Sequence, residues 1–543
     1  MASSYQRKHS KSGLEQPIMA LNPAYASFLL PLLFSLSLLL LSFVPRVSQN
    51  PTLQWSFWVA VAALLVWWTS IFLTTRRRQE SRVFTLVAPK TQHYVQAMVQ
   101  SSVYLYWGYH WEPVYAHFWL LGAQLLFAYT FDILLAWSRR REYTLGFGPF
   151  PIIFSINLFL WFRDEWFYMQ FLMVALGFMG KEYVRWQREG RYVHIFNPSA
   201  FALGLFSLVL LLTNTASLTW GQEIASTLTL APNIYTYLFL AGLVVMYFFS
   251  ITLLAGCAAL TLFGFSALYS ATTGVPYFID SEIPAAVFLG LHLLVTDPST
   301  SPRTPLGKAI FGVLYGIGVF ALYKILGMFG VPTFYDKLLC VPLLNLSVIA
   351  IDRAVNSIKS KALVNVGRPT WFGGRLNLLH MSIWIVLFST LTLLGRTDGR
   401  HTGDSLPFWG QACADNLPNA CGRLLQLEAT YCGDNAAWAC NELGLHYREG
   451  SLVTANEDLA YSYLGRACEL KFNAACANLL APDLMARAEP LELDLRLMLR
   501  EGGLNLMEMT VPGLRARACE HEWNFACAAN QNQLSAIPRT IQP

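Results

Sequence analysis

Two short segments combine residue types and a spacing that suit ligand binding. Residues 192–200 read Tyr-Val-His-Ile-Phe-Asn-Pro-Ser-Ala, and residues 296–305, about 100 positions later, read Thr-Asp-Pro-Ser-Thr-Ser-Pro-Arg-Thr-Pro. Each predicts the start of a helix, with backbone amides and hydroxyls beside basic residues. Such a place suits an anion or a phosphate group, and two simply capped helix ends fit the pattern equally well. The candidate ligand-facing residues are His194, Asn197, Thr296, Asp297 and Ser299.

Eight of the ten cysteines form a second pattern near the C-terminus. Zinc sites usually use cysteines about two to four residues apart, so a wider step favours disulfides, which persist in an oxidising compartment. Each short loop closed in this way stabilises the fold by roughly 2–3 kcal/mol. His446 and His521, in the same region, are expected to face solvent. The four pairs, each eight positions apart, are Cys413/Cys421, Cys432/Cys440, Cys468/Cys476 and Cys519/Cys527.

Composition places these patterns in a membrane protein. Of the 543 residues 55% are hydrophobic and only 13% are charged, which is typical of a chain embedded in lipid. The net charge of +5 comes from short basic clusters between apolar runs, so it indicates orientation and no nucleic-acid partner. About thirteen runs are long enough to be read as spans: 24–44, 53–74, 94–112, 115–137, 148–163, 166–182, 195–214, 235–254, 256–272, 282–296, 307–329, 335–352 and 376–394.

The basic clusters predict the orientation of the spans. Arginine and lysine collect in alternate loops, as the positive-inside rule requires, when the basic N-terminus is cytoplasmic and the first span is retained. An odd number of spans then places the cysteine-rich tail outside, in the compartment where disulfides form. The sequence therefore predicts a bacterial inner-membrane protein with a periplasmic tail. The clusters include Arg76–Arg78, Arg139–Arg141, Lys181, Arg185, Arg188, Arg191, Arg303, Lys308, Arg353, Lys359, Lys361, Arg368 and Arg375.

Polar side chains within the predicted spans are costly in lipid, so they can mark a conduction or cofactor path. Structural hydrogen bonds between helices, or a lysine reaching towards the interface, explain any one of them equally well. The acidic pair Asp164 and Glu165 lies in a short loop beside Arg163 and is expected to be a solvated turn. The polar residues within spans are His117, Asp132, Asn157, His292, Lys324 and Asn345.

The C-terminal region contains internal repeats. Between the second and third cysteine pairs a pattern beginning at Ala439-Cys440-Asn441-Glu442-Leu443-Gly444 recurs after 36 residues. A period of this length is typical of stacked helical hairpins. The region resembles the cysteine-rich, secreted variety of the Sel1-like repeat, which implies a helical solenoid that binds other proteins. The predicted parts are a cytoplasmic N-terminus (1–22), a polytopic transmembrane domain (23–394), a linker (395–409), the repeats (410–530) and a tail (531–543).

The two polar segments, in this order and at this distance, resemble signatures of the NqrB/RnfD family of membrane subunits, including its UnbU-like branch. The similarity covers residues 170–330 and extends towards 394. The family implies electron transfer coupled to ion transport, other membrane subunits as partners, and a flavin joined through phosphate to a threonine in Ser-Gly-Ala-Thr. That string does not occur between the two segments; the nearest are residues 270–274 and 226–229. The resemblance therefore implies FMN or riboflavin without supporting its covalent attachment.

The predicted fold is all-α, with a polytopic helical membrane domain followed by an extracytoplasmic helical repeat domain. The predicted function is that of an integral membrane subunit in electron transfer coupled to ion transport, whose repeats bind periplasmic partners. Two alternatives stay open: a transporter-like protein that carries a noncovalent ligand, and a scaffold whose spans mainly position the repeats. The sequence has no Gly-rich nucleotide loop and no recognisable Ser/His/Asp grouping of a soluble enzyme.

Overall fold

The computed structural model describes residues 26–470, apart from 90, 189, 279–280, 296, 330, 332–334, 358–375, 399–400 and 434, together with Phe472, Ala475 and Asn478. The predicted cytoplasmic N-terminus, the tail, Thr296, Cys476, Cys519, Cys527 and His521 lie outside the described residues.

Every predicted apolar run contains a helix, and short helices join some of them. The described helices up to residue 394 are α1 (Leu29–Leu41), α2 (Pro45–Ser48), α3 (Pro51–Arg77), α4 (Thr91–His110), α5 (Pro113–Ala116), α6 (Phe118–Arg139), α7 (Pro149–Asn157), α8 (Phe167–Tyr183), α9 (Pro198–Leu212), α10 (Gly221–Thr227), α11 (Ile234–Phe249), α12 (Thr252–Thr273), α13 (Ala285–Leu293), α14 (Pro305–Met328), α15 (Tyr335–Ser357) and α16 (Leu376–Leu393). Short 3-10 turns are Ala26–Phe28, Asp164–Trp166, Ala216–Leu218, Leu228–Leu230 and Thr402–Asp404.

The length and hydropathy of these helices identify a membrane protein. Among the described residues six helices are long and apolar enough to cross a membrane, or seven if the pair Gly221–Leu230 and Ile234–Phe249, bent by 100°, forms one span. By contrast α7 and α13 have nine residues each, and at 1.5 Å per residue each is only about 14 Å long. Neither can cross a hydrocarbon core of about 30 Å as a helix. The chain is thus mainly helical, with several membrane-spanning candidates and two half-length helices.

Two small sheets interrupt the otherwise helical architecture. Strands β1 (Val83–Leu86) and β2 (Glu142–Leu145) pair in parallel, with Val83 opposite Glu142. Strands β3 (Arg185–Arg188) and β4 (Arg191–His194) form an antiparallel hairpin in which Arg185 pairs with His194. The strands lie in the basic connections between helices. Their pairing satisfies backbone N–H and C=O groups that have no partner within a helix.

The connections alternate between two ends of the helix bundle. At one end, here called the basic end, Arg141 binds Glu80 at 2.8 Å, Arg140 and Arg185 both bind Glu182, and Lys308 donates to the carbonyl of Ser250. The other, the opposite end, contains the ion pairs Arg46–Asp164, Arg163–Glu223 and Arg396–Glu282. Loops that alternate along the chain therefore gather at the same end.

Small residues allow two of the long helices to pack closely. At Gly316 of α14 an added Cβ would lie 2.7 Å from the Cβ of Thr261 and 3.0 Å from the carbonyl oxygen of Ala258, both on α12. Any larger side chain at this position would push the helices apart. Close backbone approach through small residues is typical of helix pairs in membranes, where van der Waals packing replaces the hydrophobic driving force.

The C-terminal region forms helical hairpins around a second hydrophobic core, which also includes Val275 from the membrane part. Disulfides join Cys413 to Cys421 and Cys432 to Cys440, which confirms these two predicted pairs, and Cys468 is disulfide-bonded as well. His446 is buried and lies 3.4 Å from Glu428, so its expected solvent exposure was wrong: the packing of neighbouring hairpins covers it. The helices are α17 (Leu406–Ala414), α18 (Ala420–Gly433), α19 (Ala437–Glu449) and α20 (Glu457–Glu469).

The linker between the two parts is held against the membrane helices. Asp398 accepts hydrogen bonds from the backbone amides of Tyr235 and Thr236 and so caps the N-terminus of α11. Arg396 binds Glu282 at 2.8 Å. The charge of Asp398 at the N-terminus of α11 and the part-buried Arg396–Glu282 pair both stabilise these contacts. They hold the start of the C-terminal region against the opposite end of the bundle.

Candidate functional site

The two polar segments form one cavity at the basic end. The basic-end cavity has a volume of about 290 Å³, near the lower limit of small-molecule sites. Four of the five sequence candidates line it, and the fifth, Thr296, lies outside the described residues. The lining residues are His93, Gln96, Gly148, Pro151, Ile152, Ser155, Lys181, His194, Asn197, Pro198, Ser199, Val245, Phe249, Leu293, Asp297, Pro298 and Ser299.

A short chain of hydrogen bonds joins the two segments inside this cavity. The backbone amide and the hydroxyl of Ser299 both donate to Oδ1 of Asp297, at 2.9 and 2.7 Å. Since the hydroxyl proton is directed to Asp297, Ser299 Oγ accepts from Nε2 of His194, 3.0 Å away. Burial lowers the pKa of His194, partly against the effect of Asp297, and favours the neutral ring. The arrangement leaves Nδ1 of His194 as the hydrogen-bond acceptor of the ring.

Asn197 has a structural part in the same place. Its Oδ1 accepts from the amides of Ser199 and Ala200 and caps α9, while its Nδ2 donates to the carbonyl of Leu294 at 3.3 Å. Its backbone amide donates to Asn345, 3.1 Å away. The side chain therefore accepts from the helix amides that would otherwise be free to bind an anion. At this helix the contacts match a capped helix end.

A buried ion pair holds the segment that follows Asp297. Arg188, on β3, binds Asp352 of α15 at 2.6 Å and donates to the carbonyl of Ser301 at 3.1 Å. Asp352 also accepts from the amide of Arg303. Paired and hydrogen-bonded in this way, the buried charges specify the path of the loop. Arg188 thus positions this loop, whereas the sequence indicated only a role in membrane orientation.

Sequence reasoning missed two residues of the basic-end cavity. Lys181, at the end of α8, extends towards Asp132 at 3.9 Å, and Asp132 in turn accepts from the hydroxyl of Tyr143 at 2.9 Å. His93, near the start of α4, stacks on Phe147 with ring centroids 6.3 Å apart. The only signal for Lys181 was its membership of a basic cluster, which the positive-inside rule explains without a ligand.

A second cavity lies at the opposite end and was not predicted. The opposite-end cavity has a volume of about 410 Å³ and an aromatic floor below a charged mouth. His117, one of the polar residues noted within the spans, is buried in its floor and stacks on Trp161 with centroids 4.1 Å apart. The lining residues are Arg46, Glu112, Pro113, Ala116, His117, Trp161, Phe162, Arg163, Asp164, Glu165 and Trp220.

Beneath this floor lies a network of buried amides. Asn157 Oδ1 accepts from His117 Nε2 and from Gln124 Nε2, both at 2.9 Å. Its Nδ2 donates to Gln124 Oε1 and to the carbonyl of Ile153, and Gln170 donates to Gln124 at 3.0 Å. Because the carbonyl of Ile153 can only accept, the amide orientation of Asn157 is determined, and His117 must donate through Nε2.

Half-helix α7 connects the two cavities. Ser155 lines the basic-end cavity and accepts a hydrogen bond from Gln100 at 2.8 Å. Two residues later, Asn157 belongs to the network below the opposite-end cavity. The helix ends there, and residues 158–162 continue as buried chain without a helix. Discontinuous helices that carry polar groups at mid-depth are typical of transporter sites.

The remaining polar residues of the predicted spans have separate surroundings. His292 donates from Nδ1 to the carbonyl of Phe288 at 2.7 Å and packs against Gly242. Asn345 joins Asn197 to the carbonyl of Thr300. Lys324 lies in a third cavity, of about 410 Å³, between the membrane helices and the C-terminal hairpins. The structure therefore divides these residues among several places and does not align them in one path.

The chemistry available in the basic-end cavity is that of hydrogen bonding and charge compensation. One lysine, two histidines, one aspartate and several hydroxyls face apolar walls. Among the described residues no group of three or more His, Cys, Asp or Glu is arranged to hold a metal ion. No protein-family model, no curated protein and no solved structure matches this chain.

Proposed function

We propose that this protein is an integral membrane subunit of the NqrB/RnfD type that binds FMN or riboflavin without a covalent bond in the basic-end cavity. Its role is electron transfer coupled to ion transport within a larger membrane complex. The observation that supports the proposal most directly is the hydrogen bond between His194 and Ser299, which joins two segments 105 residues apart into one site.

The cavity suits the shape and polarity of a flavin ring. An isoalloxazine is planar and apolar over its faces, with carbonyl and N–H groups along one edge. Apolar side chains such as Ile152, Val245 and Phe249 line the cavity together with the polar side chains His194, Asp297 and Lys181. A bound flavin would supply reversible one- or two-electron chemistry. Lys181 would place positive charge near a reduced ring or a phosphate.

A spectrum of the detergent-purified protein tests the proposal. Flavin absorbance and fluorescence are expected before denaturation and are expected to separate from the chain afterwards. Lys181→Gln and His194→Gln should weaken riboflavin binding by about ten-fold each, since each removes one polar contact. Arg191→Gln is the matched control, because this exposed residue of the same hairpin does not line the cavity.

Two outcomes would contradict it. An intact, monodisperse protein that carries no chromophore and binds neither FMN nor riboflavin on titration would exclude the flavin. Flavin that stays with the denatured chain would exclude noncovalent binding.

We also infer the topology that this role requires. The basic end is cytoplasmic, the chain crosses a bacterial inner membrane thirteen times, and α7 and α13 complete their crossings as extended chain. The alternation of connections between the two ends supports this count. Alkaline phosphatase fused after Gly395 should be active, and the same fusion after Arg78 should be inactive; the reverse pattern would invert the topology.

A second function, partner binding, is favoured by the C-terminal region. Helices α19 and α20 pack closely, since a Cβ on Gly444 would lie 2.6 Å from Cγ of Leu464, as in a stacked hairpin. We propose that residues 410–530 form a Sel1-like periplasmic solenoid that docks other subunits. Deleting residues 406–543 should abolish co-purification of periplasmic partners and leave riboflavin binding unchanged; retained partners would contradict the docking role.

A further inference from the structure

The charged mouth of the opposite-end cavity has an excess of negative charge. Arg46 forms a two-point pair with Asp164, at 2.7 and 2.8 Å, and Arg163 binds Glu223 at 2.6 Å. Both arginines are therefore neutralised by their own carboxylates. Glu112 and Glu165 also line the cavity, are exposed, and have no ion-pair partner among the described residues. Two carboxylates remain uncompensated.

The floor of the cavity presents one unused hydrogen-bond acceptor. The side chain of His117 is only 5% exposed, and its Nε2 donates to Asn157 at 2.9 Å. A neutral imidazole with a proton on Nε2 has a lone pair on Nδ1. Nδ1 of His117 has no hydrogen-bond partner within the part of the chain that the structure describes. The amide network thus fixes the ring of His117, which lines the cavity and leaves its acceptor nitrogen, Nδ1, unused.

These two features together select the chemistry of a ligand. Uncompensated carboxylates at the mouth attract a cation, and aromatic walls formed by Trp161 and Trp220 lower the local polarity and strengthen that attraction. The unused lone pair on Nδ1 of His117 can accept only from an N–H or O–H donor. Alkali-metal ions prefer oxygen ligands and do not satisfy the imidazole nitrogen. A cation with N–H donors satisfies both the carboxylates and His117.

We propose that the opposite-end cavity is a binding site for a small ammonium-type cation, ammonium itself or a primary alkylammonium ion, whose N–H group donates to Nδ1 of His117. Glu112 and Glu165 supply the compensating charge. The site is separate from the basic-end cavity and does not depend on the flavin proposal.

Buried polar side chains continue below the site. Asn157, Gln124 and Gln170 contact one another directly beneath His117, and α7 carries Ser155 from this level to the other cavity. Buried polar side chains within spans are characteristic of ion pathways. A cation bound at His117 therefore lies directly next to this network of buried amides.

Binding of radiolabelled methylammonium to the full-length, detergent-purified protein tests the proposal. Saturable binding is expected, with displacement by ammonium and little displacement by sodium or by tetramethylammonium, which has no N–H. The double variant Glu112→Gln/Glu165→Gln should weaken binding about ten-fold, and Glu457→Gln, an exposed carboxylate of the C-terminal hairpins, should leave it unchanged.

A second variant separates the acceptor from the charge. His117→Phe keeps an aromatic ring against Trp161 and removes the nitrogen, so methylammonium binding should fall at least about five-fold. A thermal unfolding transition and a monodisperse size-exclusion profile like those of the wild type would show that the variant is folded. Absence of saturable binding, equal displacement by sodium or tetramethylammonium, or wild-type affinity in both the double variant and His117→Phe would overturn the proposal.

Discussion

The two cavities differ in how they are built. The basic-end cavity is assembled by connections distant in sequence, held together by Arg188 and by the cap at Asn197. The opposite-end cavity has a floor of aromatic rings. A network of buried amides centred on Asn157 lies beneath it. The first uses charge and loop geometry, and the second uses a saturated amide network in an apolar interior. Substitutions should therefore affect them by different mechanisms.

The largest effect is expected at the ion pair beneath the basic-end loop. Arg188→Met removes one partner and leaves the Asp352 carboxylate without compensation, which should destabilise the fold by about 3–5 kcal/mol. The measurement is the denaturation midpoint of the detergent-solubilised protein. Arg191→Met, on the exposed part of the same hairpin, is the control and should change the midpoint little. Equal stability of the two variants would show that the ion pair does not hold the loop.

A somewhat smaller loss is expected at the centre of the opposite-end network. Asn157→Leu keeps nearly the same volume but leaves Gln124 and His117 without their partner, at a cost of about 2–4 kcal/mol. Gln222→Leu, at an exposed position of α10, is the matched control. Thermal unfolding followed by near-ultraviolet circular dichroism measures both. A wild-type midpoint for Asn157→Leu would mean that water replaces the amide without cost.

The helix cap at Asn197 allows structural and ligand roles to be separated. Asn197→Ala should cost about 1 kcal/mol, the usual value of an N-cap. Asn50→Ala removes a similar cap, accepting from Thr52 and Leu53, far from the basic-end cavity. Similar melting temperatures for both variants, with riboflavin binding weakened only in Asn197→Ala, would place this residue at the ligand. Unchanged binding in both would confine it to capping.

The smallest effect concerns pH. Burial lowers the pKa of His194 in the folded protein, so the unfolded chain binds more protons than the folded one once the pH falls below about 6.5. The contribution of His194 to stability is present above that pH and is lost as the pH falls towards the folded pKa. Melting temperature measured from about pH 7.5 to 5.5 should fall more for the wild type than for His194→Gln. Parallel curves would exclude the contribution.

Much of the architecture was predictable because lipid imposes simple rules. Apolar runs that face lipid must be helical, since backbone groups in hydrocarbon need internal partners, and each predicted run contains a described helix. The pairs Cys413/Cys421 and Cys432/Cys440 were predicted from spacing alone and are confirmed. The half-length of α7 and α13 was not predictable, because hydropathy does not distinguish a helix from a buried extended chain.

The candidate site was predicted in part. His194, Asn197, Asp297 and Ser299 were selected from two motifs, and they do line one cavity. Lys181 was taken as an orientation signal and His446 as a solvent-facing residue, because charge and burial of a single side chain depend on what packs against it. Asp164 and Glu165, expected in a solvated turn, lie in a 3-10 turn in which Glu165 is exposed, and both also line the opposite-end cavity. Neither motif nor spacing indicated that cavity.

The sequence by itself determined which segments are apolar enough to be helical, the pairing of Cys413 with Cys421 and of Cys432 with Cys440, and which two polar segments begin or end helices. These properties depend on composition and on spacing over a few residues. Only the tertiary structure decided that His194 meets Ser299, that Arg188 reaches Asp352 and that His117 is fixed by Asn157. Such contacts join residues 40 to 164 positions apart, and they depend on how helices pack, which local sequence does not encode.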